Sequence, residues 1–370
     1  MKVYEQLYLF VERNEKILSW IAFLTGFTWD NLTLGRIDRL FDLLILCGLL
    51  VVATLGMLAV AYAESELRKP EVLSRVSAWL PLIMQFSLGG LFSGLFVFYS
   101  RSGSLASGWP FVLCITLLLI GNEFFRRRYQ GIVFQTAIYF VAALSLSALI
   151  TPVLLKKMSP EIFILSTVFA WVWMMIVLKG VRRVAPRRYK EGKWYIRGVI
   201  IAELALFITL YFSNIIPPIP LAVKEVSIFH SVVRTADGNY EVSYKTKEST
   251  LPFVGKLLST FTHSDRVVYQ STNPVYCFSS VFAPNALSTT VVHSWEYYNE
   301  KNGEWEVVSK IPFALSGGRD GGFRGYTLRG NLEKGTWRCD VETTRGQLIG
   351  RRTFEVRTGE SDAAFNIETR

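Results

Sequence analysis

The sequence predicts an α-helical transmembrane bundle of about seven spans, followed by an all-β, Ig-like antiparallel sandwich domain. Three observations carry this. Hydrophobic residues make up 51% of the 370 and the mean hydropathy is +0.29, which is too apolar for a soluble chain of this length. From Met1 to Leu221 the apolar residues cluster in long runs. From Ala222 onward they alternate with polar residues, and no run there could cross a bilayer. The expected domains are therefore a helical membrane domain over 1–214, a proline-rich linker over 215–224, a β domain over 225–358 and a flexible tail over 359–370.

A span needs roughly 20 mostly apolar residues to cross the hydrocarbon layer. The stretches 40–63, 77–99, 105–122, 132–155, 161–179 and 195–214 meet that length. Ile17–Trp29 is shorter. It reads either as a seventh span, helped by Leu7–Val11 or a locally thin bilayer, or as a re-entrant or interfacial helix. Met1 is followed by neither a basic segment nor a small-residue cleavage site, so no removable signal peptide is expected.

The net charge of +10 is a matter of location. Residues 1–221 hold 22 Lys and Arg against 13 Asp and Glu, whereas the remainder holds 18 against 17. Within the membrane half the excess falls between spans. Lys179, Arg182, Arg183, Arg187, Arg188, Lys190, Lys193 and Arg197 fill the loop before the last span. Arg126, Arg127 and Arg128 fill another, and Arg68, Lys69 and Arg75 a third. These are alternate loops, and short cytoplasmic loops collect Lys and Arg. All three are thus expected in the cytoplasm with the amino terminus, and the last span exits outward. The charge reads as topology, with anionic lipid contact as a by-product. Nucleic acid is not an expected partner. Trp79, Trp109, Trp194, Tyr195 and Tyr211 lie near span ends, where amphipathic rings favour the headgroup layer.

Gly90 and Gly94 form a small-xxx-small pair, with Gly89 and Ser93 one residue behind. Such a stripe lets another backbone approach closely, within the chain or in a homo-oligomer. Pro81, Pro110 and Pro152 fall at or near span ends, where a lost donor is more easily satisfied. Glu203 lies near the middle of the last span. A carboxylate there must be protonated, paired or facing a wet cavity. Gln85 and Gln135 are candidate neighbours on other spans, and Asp42 and Glu123 lie nearer the ends of theirs. The group reads either as an interhelical hydrogen bond or as a proton or substrate site. The sequence holds no HExxH, GxSxG or GxxxxGK[ST] motif and no paired aspartates of a lipid-phosphate enzyme.

The link Asn214–Leu221, with three prolines, cannot stay helical and reads as a stiff extended spacer. Strands are then expected at 226–233, 240–244, 266–269, 275–281, 288–298, 305–310, 323–328, 336–342 and 348–356, because each is a short β-branched or aromatic run between Gly, Asn, Asp and Ser. Leu251–Phe261 breaks the alternation and reads as a helical insertion, on the membrane surface or in the core.

Cys47 and Cys114 sit in spans as small apolar residues. Cys277 and Cys339 sit on strand faces that point inward, either as buried thiols or as a disulfide permitted outside the cytoplasm. His230, His263 and His293 match no zinc spacing, and neither a metal nor another cofactor is expected. His293 and Trp295 share one strand face while Glu296 points to the other. With Arg324, Tyr326 and Arg338 they form the candidate binding face for sugar or peptide.

The stretch Val291-Val-His293-Ser-Trp295-Glu-Tyr-Tyr298 begins a family pattern. Phe323-Arg-Gly-Tyr326, Gly335-Thr-Trp337-Arg-Cys-Asp-Val341, Gly346-Gln-Leu-Ile-Gly350 and Phe354-Glu-Val356 continue it. The pattern resembles the bacterial domain of unknown function 2914, and its place after a polytopic membrane domain resembles an uncharacterised family that joins the two. The resemblance implies a bacterial envelope β domain and no activity. Cys339 stands where the family requires no cysteine. Two function classes follow. In the first, the β domain recognises an envelope glycan, lipid or protein while the bundle anchors it. In the second, Glu203 lines the cavity of a transporter or lipid-modifying enzyme.

Overall fold

The computed structural model describes residues 15–65, 80–102, 105–124, 131–244, 267–269, 274–285, 287–319, 321–357 and 365–370. The basic residues at 68–75 and 126–128, Trp79, His263 and the apolar stretch Leu251–Phe261 lie outside the described residues. The chain divides into two compact units: 1–100 with 109–213, and 101–108 with 214–370.

The first unit is helical. Its helices are α1 (Glu15–Thr33), α2 (Leu40–Ala63), α3 (Leu80–Arg101), α4 (Leu105–Phe124), α5 (Ile132–Leu155), α6 (Pro160–Val184) and α7 (Pro186–Phe212). Of these, α2, α3, α5, α6 and α7 are long and apolar enough to cross a membrane, and α4 offers a shorter apolar stretch, Gly108–Asn122. Local chemistry sets several ends. Lys156 turns left-handed and closes α5, and Ser159 then caps α6 by accepting from the Ile162 N–H, with Pro160 at the first helical position. The outer surface is apolar: Leu40, Phe41, Phe86, Leu117 and Leu154 are each more than half exposed, as lipid-facing residues are.

Inside the bundle, polar groups tie helix to helix. Thr54 of α2 donates to its own helix at Leu50 O, so its Oγ1 accepts from the Tyr139 hydroxyl of α5 at 2.5 Å. Tyr139 in turn accepts from Trp173 Nε1 of α6 at 2.7 Å. Gln85 and Asn122 exchange bonds between α3 and α4, each side-chain nitrogen donating to the other residue's carbonyl. Tyr99 donates to Ser145 O, and Ser147 to Ser166 O. With no water in hydrocarbon, such bonds are the alternative to unsatisfied groups.

One expectation needs correction here. The basic stretch 179–197 is not a loop: it ends α6 and begins α7, with Ala185 alone between them and Pro186 starting the second helix. Lys and Arg are good helix formers, so the charge pattern did not imply coil. The Gly90 and Gly94 stripe is occupied within the chain. A Cβ on Gly94 would meet Leu46 Cδ2 at 2.5 Å and one on Gly90 would meet Leu49 Cδ1 at 3.2 Å, so within the chain these glycines seat α2, the first of the two readings of the stripe.

Among the described residues the second unit holds three sheets. A five-stranded sheet runs β4 (Val267–Tyr269), β10 (Leu348–Arg357), β9 (Gly335–Thr343), β6 (Ser288–Asn299), β7 (Glu304–Ser316). A middle sheet runs β1 (Ala222–Phe229), β5 (Val275–Phe282), β8 (Phe323–Arg329). A third runs β11 (Asn366–Thr369), β3 (Tyr240–Tyr244), β2 (Ser231–Arg234). Among the described residues every pairing is antiparallel except β4 with β10. The middle sheet buries both faces. Ile228, Val275 and Cys277 pack with Trp295, Trp337, Cys339 and Phe354 of the five-stranded sheet, whereas Phe229 and Phe278 pack with Val232 and Val242 of the third.

The expected strand 226–233 is thus two strands, with His230 as the step between sheets. The linker is no free spacer: residues 216–221 are buried, and Gln347 Nε2 donates to Ile216 O. Its apolar prolines and isoleucines find more to bury than water offers. Nor is the whole tail flexible. Residues 366–369 form β11 on the free edge of β3, and Arg370 exchanges backbone bonds with Tyr240. The short alternation Asn-Ile-Glu-Thr suits such an edge.

Tyr139→Phe removes two links among α2, α5 and α6 and leaves the Trp173 N–H unpaired. The expected cost is about 1–2 kcal/mol, seen as a lower thermal midpoint for the full chain in detergent. An unchanged midpoint would remove this knot from the account.

Candidate functional site

The pleat of β6 gives its two faces different chemistry. His293 and Trp295 point to the middle sheet and are fully buried. This overturns their place on an exposed binding face: the core requires the area of Trp295, and the period of two takes His293 with it. Trp295 Nε1 donates to Thr327 Oγ1 at 3.0 Å, and Thr327 Oγ1 lies 3.0 Å from His293 Nδ1. His293 Nε2 lies 2.8 Å from Ser279 Oγ. The simplest assignment has Thr327 donating to Nδ1 and Nε2–H donating to Ser279, a neutral imidazole. Burial pushes the His293 pKa down to about 3. The ring also meets Phe313 edge-on at 4.7 Å.

Beside it Cys277 and Cys339 are bonded, their Cα atoms 6.5 Å apart and 62 residues apart in sequence. The two sulfurs and a His293 nitrogen fall within 4.8 Å of one another, the geometry of three soft ligands. The sulfurs are committed to each other, however, and both ring nitrogens to hydroxyls. The group therefore reads as a cross-link with a packed histidine.

The opposite face of the five-stranded sheet is where charge gathers. Glu296, Asp340 and Glu342 are each less than a tenth exposed. Arg338 grips Glu296 through Nε at 2.9 Å and Nη2 at 2.5 Å, and stands 3.7 Å from Asp340. Arg351 forms a two-pronged pair with Asp340, and Lys310 Nζ donates to Glu342 at 2.7 Å. The register explains the set. Ser294, Asp340 and Arg351 form one cross-strand row, with Glu296 and Arg338 in the next. Burial opposes the charge on Arg351, but the hydrogen bond and attraction of Asp340, with Glu296 and Glu342 adding, hold its pKa above the ordinary value. At the end of this face the Arg338 guanidinium lies 4.2 Å over the Trp305 ring, and Trp305 packs on Tyr298 at 5.2 Å.

The expected face is therefore divided. Only Arg338 belongs to this charged lattice. Arg324 and Tyr326 lie on the middle sheet toward the third: Arg324 Nη1 donates to Asn239 Oδ1 and Arg370 O, and Tyr326 packs on Tyr240 and Tyr276. Their strand alternates away from Thr327, which points to His293.

In the bundle, Gln85 is engaged with Asn122 and Gln135 is buried on α5. Glu203 of α7 has its Oε2 buried without a hydrogen-bond partner among the described residues. Gly192 of α7 faces Ile132 and Val133 of α5, so Gln135 lies about two turns from the level of Glu203. The three do not form one cluster. Sequence reasoning places Glu296 on the face away from His293 but gives it no role, and it passes over Asp340, Glu342, Arg351 and Lys310. The alternation of Asp340 and Glu342 with a basic residue two before was the available signal.

Residues 288–356 match the model of a protein family of unknown function, DUF2914. The DUF2914 segment spans β6 to β10 and so contains the whole charged lattice, with His293 and Cys339, while Cys277 and Ser279 lie before it. No curated protein matches the chain. Among solved structures, Pseudomonas fluorescens alkylpurine DNA glycosylase AlkC bound to DNA containing an abasic site analog is similar at 12% identity, over 87% of this chain and 100% of that one. Its TM-score is 0.22, too low to carry an argument.

The His293 shift sets a sign. Its folded pKa lies below the unfolded value of about 6.5, so the unfolded state takes up the extra proton. The stability is fully present above pH about 6.5 and falls toward pH 3, by up to about 1.4 kcal/mol per pH unit. Denaturant unfolding of the full chain, followed by tryptophan fluorescence from pH 7 to 4, should show a steeper loss than His293→Asn does. Equal slopes would mean that His293 is not buried neutral.

Proposed function

We propose that this chain is a multi-pass protein of the bacterial inner membrane, with about seven spans and a cytoplasmic amino terminus. Its β domain, an Ig-like sandwich carrying an extra sheet, lies outside and binds an envelope partner. The observation that carries this reading is the charged lattice of the DUF2914 segment. Three acids lie buried beneath three cations on one sheet face, with side-chain exposures of 10%, 4% and 9% for Glu342, Asp340 and Glu296. Holding so many desolvated charges in fixed geometry adds little to stability, since apolar residues of like volume do as well or better. Fixed charges do serve recognition. An aromatic ring beside oriented guanidinium and carboxylate groups suits a sugar, whose apolar face stacks and whose hydroxyls bond, so an envelope glycan is favoured over lipid or protein.

A second reading, a transporter or lipid-modifying membrane enzyme, draws support from the partnerless Glu203 Oε2 alone. Gln85 and Gln135 add nothing to it.

Binding of soluble peptidoglycan fragments to the full chain in nanodiscs tests the first reading. Trp305→Ala and Arg338→Gln should each weaken binding about tenfold, the loss of one stacked or bidentate contact, while Arg319→Gln should not. Absent binding, or binding untouched by Trp305→Ala, would sink it.

A further inference from the structure

We propose that the junction of α6 and α7 is a docking site for the phosphate headgroup of an anionic lipid. A cleft of about 370 Å³ opens there, lined by Glu64 and Ser65 at the end of α2 and by Ala185 through Arg188 and Glu191. That volume lies in the range of small-ligand sites. Eight cations fall between Lys179 and Arg197 against Glu191 alone, an excess of seven (8 − 1) over that segment, while the cleft within it is lined by Arg187 and Arg188 with Glu64 and Glu191. The last turn of α6, with Arg182 and Arg183, and the first turns of α7 adjoin at Ala185, and Arg187 and Arg188 are the cations of this segment that line the cleft.

The acids orient this cluster. Arg188 pairs with Glu64, and Arg187 with Glu191 at 3.2 Å. Ala185, the residue before α7, supplies no side-chain cap, and Pro186 has no N–H, so the side chains of α7's own flank leave its first backbone donors uncapped, and Ala185 to Arg188 line the cleft.

The depth fits a headgroup rather than a soluble anion. Lys179 closes the apolar part of α6, and the six residues from there to Ala185 rise about 9 Å, near the thickness of one headgroup layer. On α7, Trp194 and Tyr195 are 75% and 73% exposed, with Lys193 and Arg197 placed over the Trp194 ring at 5.7 and 5.3 Å. Large exposed rings under cations mark the interface between hydrocarbon and headgroups. A lipid phosphate in the cleft competes with Glu64 for Arg188.

That competition gives the test two opposite arms. Native mass spectrometry of the full chain from detergent, with phosphatidylglycerol and phosphatidylcholine at equal concentration, should show several-fold greater retention of phosphatidylglycerol. Arg187→Gln with Arg188→Gln should lower it to the phosphatidylcholine level, and Glu64→Gln, which keeps every cation, should raise it. Lys334→Gln in the β domain should leave it unchanged. Equal retention of the two lipids by the native chain, or no response to either variant, overturns the proposal. Displacement of the lipid by millimolar inorganic phosphate overturns it too, by making this a site for a soluble anion.

Discussion

The bond between Cys277 and Cys339 is the covalent tie on which the β domain depends. It joins the middle sheet to the five-stranded sheet within the apolar cluster that holds Trp295, Trp337 and Phe354. Closing a loop of 62 residues restricts the unfolded chain, worth roughly 4 kcal/mol on the chain-entropy account. Around it the hydroxyl of Thr327 serves both His293 and Trp295, so the polar groups forced inward by the pleat are satisfied there. With the inner face fixed, the outer face can hold three buried acids under three cations without collapsing the sheet pair. The same bond bears on location, because disulfides persist in oxidising compartments.

The membrane unit answers the same demand by another route. Its exterior has no water to offer, so Tyr139, Gln85, Asn122 and Tyr99 turn inward and bond to neighbouring helices. Glycine does the complementary work of close approach, seating α2 leucines against α3. Glu203 is the carboxylate among the groups this leaves over: among the described residues its Oε2 is buried without a partner, as are Gln85 Oε1 and Ser145 Oγ. Such a group is where a second activity would reside if the bundle had one.

The sequence made some of this legible and hid the rest for physical reasons. Long apolar runs announced the helices because length and hydropathy are properties of one segment. The alternation around His293 and Trp295 announced that they share a face, and that Glu296 points away. Which face is covered depends on another sheet, which no local pattern reports, so exposure was assigned the wrong way round. The lattice was missed for a related reason. Arg351 meets Asp340, and Arg338 meets Glu296, only after strands far apart in sequence come into register. The basic residues before α7 looked like a loop because charge reads as solvent, although Lys and Arg extend helices well beyond the hydrocarbon. The tail was read as flexible because a four-residue strand is invisible without the β3 edge that receives it.

Thiol trapping in intact cells tests the central claim most directly, since a cross-linked β domain outside the cytoplasm requires both the bond and the compartment. Alkylation before lysis and without reductant, followed by peptide mapping, should find Cys277 and Cys339 in one linked pair, with Cys47 and Cys114 recovered as free thiols once unfolded. Recovery of Cys277 and Cys339 as free, alkylated thiols would contradict the account, by removing the tie between the sheets and the support for an extracytoplasmic domain.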